Sequence, residues 1–213
     1  MKFENCINLK LLDEKSTFID DEVIIGENVT IYEGNRITGK TVIGNNVTIY
    51  PNCFIKDCII SDNVTLNYSQ VEGSIIGNNC NVGPFARLRP KSVLADNVKV
   101  GNFVEVKNSN IGNGTKINHL AYVGDVDIGK NCNIGCGAIF VNYNGKTKNR
   151  CVVGDECFIG SNCNIIAPVV IEKKSYVCAG TTVTENVKAD DFVIGRVRQV
   201  VKENRAHKYL RRD

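Results

Sequence analysis

The stretch Val153-Gly154-Asp155-Glu156-Cys157-Phe158-Ile159-Gly160-Ser161-Asn162-Cys163-Asn164-Ile165 sets an aliphatic residue at every sixth position, and the series continues through Ile171, Val177 and Val183. An amphipathic helix repeats its buried face about every 3.6 residues and a half-buried strand about every second residue, so neither explains this period. Working outward, the same spacing governs Ile25, Ile31, Ile37, Ile43, Ile49 and Ile55, and again Ile76, Val82, Leu88, Leu94, Val100 and Val106.

A unit of six is one short flat strand plus a turn, and three units close a triangular coil of roughly 18 residues stacked on the coil below. The aliphatic residue points into the prism. Gly or Asn often follows it, as in Ile25-Gly26-Glu27-Asn28-Val29, because the chain turns sharply between faces and these residues tolerate positive φ. With 19 Gly and no Trp, the composition agrees. The expected fold is all-β, a parallel β-helix formed as one elongated domain over residues 1–213. Residues 1–20 form an N-terminal cap, about 21–188 the solenoid in about nine coils, and about 189–213 a short helical, basic tail.

The register slips in places. Spacing shortens to five at Ile111 and Ile128, resumes through Ile117, Val123, Ile134 and Phe140, and then thirteen residues separate Phe140 from Val153. That interval carries Asn142-Tyr143-Asn144-Gly145, and Asn-Gly is a strong turn signal, so a hairpin-like excursion is expected. An insertion leaving a regular solenoid is where binding residues tend to gather.

At 43% apolar content and a net charge of +3, the chain can bury a sizeable core and shows no bulk signature of nucleic-acid binding. No stretch has the length or apolarity of a membrane span or secretion signal, so a cytoplasmic protein without membrane contact is expected. Basic residues gather at the end in Arg196, Arg198, Lys202, Arg205, Lys208, Arg211 and Arg212, as a solvated cap or a phosphate-binding rim. Ten cysteines invite a disulfide or zinc reading. Yet Cys53, Cys80, Cys132, Cys157 and Cys163 each fall four residues after an inward aliphatic, where a small apolar side chain fits the prism corner. No C-x-x-C pair starts a metal site, so reduced packing thiols are expected.

Within an unslipped run, residues 18 apart stack on neighbouring coils. Arg87 then lies beneath Glu105 as a plausible ion pair, and Arg89 beneath Lys107 as two like charges that an anion would bridge. Allowing for the short unit after Val106, Glu105 falls near Tyr122 and His119 near Cys136. His119 and His207 are the two histidines, too few for the three-histidine zinc site of a hexapeptide carbonic anhydrase. A histidine, a carboxylate, a phenol and two cations converge between Arg87 and Cys136, with His119 as a candidate general base.

The segments Asn81-Val82-Gly83-Pro84-Phe85-Ala86-Arg87-Leu88-Arg89-Pro90, Gly101-Asn102-Phe103-Val104-Glu105-Val106-Lys107 and His119-Leu120-Ala121-Tyr122-Val123-Gly124-Asp125 resemble the acetyltransferase domain of bacterial bifunctional N-acetylglucosamine-1-phosphate uridyltransferase/glucosamine-1-phosphate acetyltransferase, the GlmU type. The likeness continues through Val141-Asn142-Tyr143, Phe158-Ile159-Gly160-Ser161 and Ile194-Gly195-Arg196-Val197-Arg198-Gln199. The resemblance implies a left-handed β-helix and a homotrimer with active sites shared between subunits. It implies sugar-phosphate contacts from Arg89 and Lys107, completed by Tyr122 and Asn133, a substrate-site carboxylate at Glu105 and the base at His119. Acetyl-CoA contacts fall on Cys136, Asn142, Tyr143, Ser161, Ala179 and Arg196.

The implied reaction is acetyl transfer from acetyl-CoA to the amine of glucosamine 1-phosphate, a step that requires no metal and supplies UDP-N-acetylglucosamine and cell-wall precursors. Cys136 stands where the family usually has Ala, which raises a covalent acetyl-cysteine route, and Asn144 stands where it usually has Asp. The uridyltransferase domain would precede this one, yet the chain begins shortly before the hexads, so uridylyl transfer is not expected of it; a separate nucleotidyltransferase is a conceivable partner. The competing readings are an acetyltransferase for another amino sugar or amino-sugar nucleotide, and a non-catalytic β-helix scaffold.

Overall fold

The computed structural model describes residues 7–210. Its strands are mostly two residues long, and all the ladders between them are parallel. A pair such as Thr30–Ile31 presents Thr30 outward and buries Ile31 completely, and the pattern recurs in Val42–Ile43, Thr48–Ile49 and Ile75–Ile76. Strands this short hold nothing alone. Each is fixed by the coils above and below, and each inward Ile or Leu contributes roughly 1.5–3 kcal/mol by leaving water.

Three ladders form the faces of a triangular prism. The first stacks Lys10–Leu11, Thr30–Ile31, Thr48–Ile49, Thr65–Leu66 and Asn81–Val82, and ends with Asn133–Ile134, Phe158–Ile159, Tyr176–Val177 and Phe192–Val193. The second runs from Phe18–Ile19 through Arg36–Thr38, Phe54–Lys56, Gln70–Glu72 and Arg87–Leu88 to Ile139–Val141, Asn164–Ile166 and Thr182–Val183. The third holds nine strands, from Ile24–Ile25 to Val170–Ile171. Two nine-residue strands, Lys99–Lys107 and Lys116–Gly124, run unbroken round the edge between the first and second faces and join those ladders into one sheet.

The inward aliphatics read from sequence are the core, and all three runs are buried except Ile25, which is half-buried against it. The gap between Ile55 and Ile76 is filled by Ile60, Leu66 and Val71, on coils where Ile43 pairs with Ile60 and Ile60 with Ile76. Both slipped positions, Ile111 and Ile128, still face inward, because the turn and not the strand loses a residue. Positive φ at Asn28, Asn46, Asn63, Asn79, Asn97 and Asn131 marks one turning corner, a role Asn fills better than most residues.

Parallel pairing extends past the expected solenoid at both ends, from Lys10 to Val193, since the cap region already supplies two strands. The tail also differs from expectation. In place of a helix, it leaves the prism with Val197, Val200 and Val201 exposed and holds one 3-10 turn at Ala206–Lys208. Arg211 and Arg212 lie outside the described residues. The nine described cysteines are unbridged, and all but Cys136 are buried. Six of the buried thiols donate to backbone carbonyls, as Cys80 does to Ala95 and Cys157 to Glu172, both at 3.0 Å. Burial pushes the Cys53 and Cys80 thiols up to about 11.

Candidate active site

The edge between the first and second faces carries one outward residue per coil just before the turning position. The pairing of Asn102 with His119, together with the bonds from the Gly137 N–H to the Leu120 carbonyl, Asn162 to Cys136 and Gly180 to Ser161, puts Asn102, His119, Cys136, Ser161 and Ala179 in one column. Arg196 extends it, its Nη1 donating to the Ala179 carbonyl at 2.9 Å. At the strand spacing of about 4.8 Å per coil, the column suits an elongated ligand laid along the edge.

Beside this column the turning residues are Phe103 and Leu120, both at positive φ and both 59% exposed. Phe103 stacks on Phe85 at 5.7 Å, and Phe85 tilts against Tyr68 at 5.8 Å. Bulky residues in this conformation cost roughly 1–2 kcal/mol each, where most other corners use Asn or Gly. Phe103 and Leu120 form one wall of a recess whose floor includes Glu105, Tyr122 and Ile139.

His119, the residue before Leu120, is exposed, and its Nδ1 lies 2.8 Å from Asn102 Oδ1. Glu105 is register-paired with Tyr122, as expected, and the register that pairs Ile117 with Ile134 carries His119 toward Cys136.

The charge arrangement corrects two expectations. Arg87 does lie opposite Glu105 in the ladder, but the ion pair is made by Arg89, whose Nη1 reaches Glu105 Oε1 at 2.9 Å. Both arginines point outward, and the longer diagonal reach wins. Nor are Arg89 and Lys107 a bare like-charged pair, since Lys107 Nζ has its own carboxylate in Asp125 Oδ2 at 3.2 Å. An anionic ligand would have to share these cations with Glu105 and Asp125.

Asp125 is the centre of this cluster and is buried. Burial opposes its charge, but hydrogen bonds from Asn108, Lys107 and Asn142 outweigh it and hold the carboxyl below its ordinary value. Burial likewise opposes the charge on Lys107, and Asp125 overcomes it, so that ammonium is held above its usual value. Lys148, on the excursion, is pushed down, mainly by Lys107 beside it, so a third cation joins Arg89 and Lys107. Sequence counting could not find Lys148, because an insertion has no register. Asp125 directly follows Gly124, the residue paired with Lys107 on the next coil, and that register is the sequence signal that could have found it.

The excursion is a small hairpin. Tyr143 and Lys148 form an antiparallel bridge, and the Asn144 side-chain oxygen accepts from the N–H groups of Lys146 and Thr147 at 2.9 and 2.8 Å. An Asp would accept the same two bonds, so Asn144 preserves the turn. Arg150 ties the return to the preceding coils through Asp127 and the Asn108 carbonyl, the latter at 2.8 Å. Asn142 Nδ2 also donates to the Tyr122 hydroxyl at 3.2 Å.

One chain thus gathers Arg89, Glu105, Lys107, Tyr122, Asn142 and Lys148 on the second face and its far edge, with His119, Cys136, Ser161, Ala179 and Arg196 along the near edge. Tyr143 projects from the hairpin, 55% exposed. Asn133 stands apart on the first face, paired with Lys116 and Phe158.

Comparison with known proteins agrees with the resemblance read from the sequence. The family described as the GMPPB C-terminal domain matches residues 19–112, and the hexapeptide repeat of succinyl-transferase matches residues 150–185. Curated relatives include the Bifunctional protein GlmU of Caldicellulosiruptor saccharolyticus, 51% identical over 195 residues, covering 92% of this chain and 42% of the relative. That of Geobacillus sp. is 50% identical over 194 residues, covering 91% and 42%, and that of Clostridium novyi 46% identical over 190 residues, covering 89% and 42%. The chain therefore spans less than half the length of these relatives. Among solved structures, UDP-N-acetylglucosamine acyltransferases from Bacteroides fragilis and Campylobacter jejuni superpose with TM-scores of 0.65 and 0.62 at 17% and 18% identity. These cover 85% and 87% of this chain and 70% and 71% of theirs, a likeness of fold.

Proposed function

We propose that this chain, a homologue of the bifunctional GlmU proteins that corresponds to their acetyltransferase domain, transfers an acetyl group from acetyl-CoA to the amine of glucosamine 1-phosphate. The observation that carries the reading is the meeting of two arrays at His119. One is the edge column His119, Cys136, Ser161, Ala179 and Arg196, suited to a long acyl-CoA arm; the other is the second face, where Tyr122 and Glu105 lead to Arg89, Lys107 and Lys148. The first array offers a thioester and the second holds an anionic sugar. A scaffold would need neither.

The amine of such a sugar is largely an ammonium ion at neutral pH and cannot attack until it loses a proton. Neutral His119 takes that proton, the freed lone pair adds to the thioester carbonyl, and backbone N–H groups along the edge stabilise the oxyanion. Collapse expels the CoA thiolate, which receives a proton from the imidazolium or the amide nitrogen as the product forms. No step uses a metal. In this reading Glu105 holds the ammonium before transfer, at the cost of loosening its pair with Arg89, whose charge then turns to the sugar phosphate.

The full site belongs to a trimer in this reading. Asn133 lies on the first face, across the edge column from Tyr122 and Glu105 on the second. A neighbouring copy that presents its first face to this second face brings its own Asn133 to Tyr122 and Glu105. Release of CoA thiol, followed with a panel of amino sugars with and without a 1-phosphate, tests the assignment. Turnover confined to glucosamine 1-phosphate is expected; preference for another amino sugar would move the substrate, and no turnover with any would favour the scaffold.

A further inference from the structure

We infer that Asn102 is a positioning residue that fixes the tautomer of His119, leaving its Nε2 as the free base; this rests on the acetyltransferase reading above. The two side chains occupy the same place on successive coils of the edge column. Pairing of Val100 with Ile117 and of Val104 with Ala121 clamps the ladder on both sides of the Asn102–His119 pair. Their spacing is therefore set by backbone and not by chance rotamers, and Asn102 Oδ1 sits 2.8 Å from His119 Nδ1.

An amide oxygen only accepts hydrogen bonds, so the nitrogen facing it must carry the proton. In an unanchored imidazole the proton prefers Nε2, which would leave the outward nitrogen unable to accept anything. Asn102 reverses that preference. With the proton on Nδ1, the lone pair of Nε2 is left free to accept a proton. An aspartate would hold the same tautomer, but its charge would raise the imidazole pKa and protonate part of the base near neutral pH. A neutral amide orients the ring without that cost. The other titratable groups on strands packed against His119 are Cys136 on the next coil, Glu105 and Tyr122 round the edge, and Lys99 and Lys116 on the first face. None of these appears among the partners of Nδ1 in the described residues.

The test uses the full chain and two variants. Asn102 is half-buried on the surface of a clamped ladder, so Asn102→Ala should fold; circular dichroism and the midpoint of thermal unfolding check this. Nitrogen-15 NMR of the histidine ring in the unliganded protein should show Nδ1 protonated in the parent and a shift toward protonated Nε2 in Asn102→Ala. This readout does not depend on transferase activity, so it can fail or succeed apart from the function proposed. In the thiol-release assay, Asn102→Ala should lower kcat about 10- to 100-fold with little change in KM. Asn102→Asp should retain most of kcat at alkaline pH and move the acid limb of the kcat profile upward by about one pH unit. A parent enzyme with protonated Nε2, or an Asn102→Ala variant with unchanged tautomer and unchanged pH profile, would overturn the inference.

Discussion

Tyr122 and Asn133 stand on different faces of one prism, Tyr122 opposite Glu105 on the second and Asn133 opposite Lys116 on the first, with the His119 edge between them. No rotamer change brings the two side chains onto one small ligand. If both serve the sugar, they come from different copies. The protein should therefore sediment as a trimer. Arg89→Ala and Asn133→Ala, each weakened in sugar binding, should partly rescue each other at low sugar concentration when assembled together, because about a quarter of the interfaces in a random mixture combine two intact halves. A fully active monomer, or an absence of rescue in verified mixed trimers, contradicts the shared site.

His119→Ala should lower kcat by about 10² to 10⁴ with a small effect on KM, the signature of a lost general base. Arg89→Ala should instead raise KM for the sugar phosphate, and its penalty should shrink with an amino sugar lacking the phosphate. Equal effects on both sugars would remove Arg89 from the phosphate site. Steady-state kinetics with the two substrates separate these outcomes.

Cys136 is exposed on the edge column, one coil from His119. If transfer is direct, Cys136→Ala should keep turnover within a few-fold, since the contact it makes with the ladder is through its backbone carbonyl. Intact-protein mass spectrometry after incubation with acetyl-CoA alone should show no stoichiometric adduct. An acetyl group lost in Cys136→Ala and passed on to added sugar would establish the covalent route.

Gly124 has the Tyr122 ring lying across it, and a Cβ added there would sit 2.5 Å from the Tyr122 hydroxyl oxygen. Gly124→Ala should displace the ring and break its contact with Asn142. Sugar KM should rise as in Tyr122→Phe or more, with little change in the melting temperature, since the ring tip is the part that must move. Comparing the kinetics and unfolding of both variants checks this.

The Asp125 carboxylate carries a pH signature. Its folded pKa lies below the ordinary value, so its ionised form contributes stability above that ordinary value, and the contribution is lost as pH falls through the depressed folded pKa. Asp125→Asn should cost about 1–3 kcal/mol at neutral pH, by leaving Lys107 without its anion, and less in strong acid where the parent has already lost the charge. Urea unfolding at neutral pH and near pH 3 measures the difference. Equal losses at both would mean that the charge is not what matters.

The period of six by itself determined the solenoid, the inward aliphatics and the corner cysteines, because burial and turning impose the same demand on every coil. It also located the hairpin, since a regular count breaks only where residues leave the ladder. Counting that allowed for the short unit after Val106 placed Glu105 beside Tyr122 and His119 toward Cys136, for a stacked coil converts sequence distance into spatial distance.

What the count could not decide was which side chains pair across that stack. Arg89 takes Glu105 from Arg87, and Asp125 takes Lys107, because long side chains reach diagonally and choose by charge and burial together. Lys148 and Asn102 became visible only in three dimensions, one because it sits on an insertion without register, the other because its importance lies in the atom it offers to His119. The division of the candidate site over two faces is likewise tertiary. A repeat dictates how a chain stacks on itself, whereas closing a site between convex faces depends on surfaces that the repeat leaves free to vary.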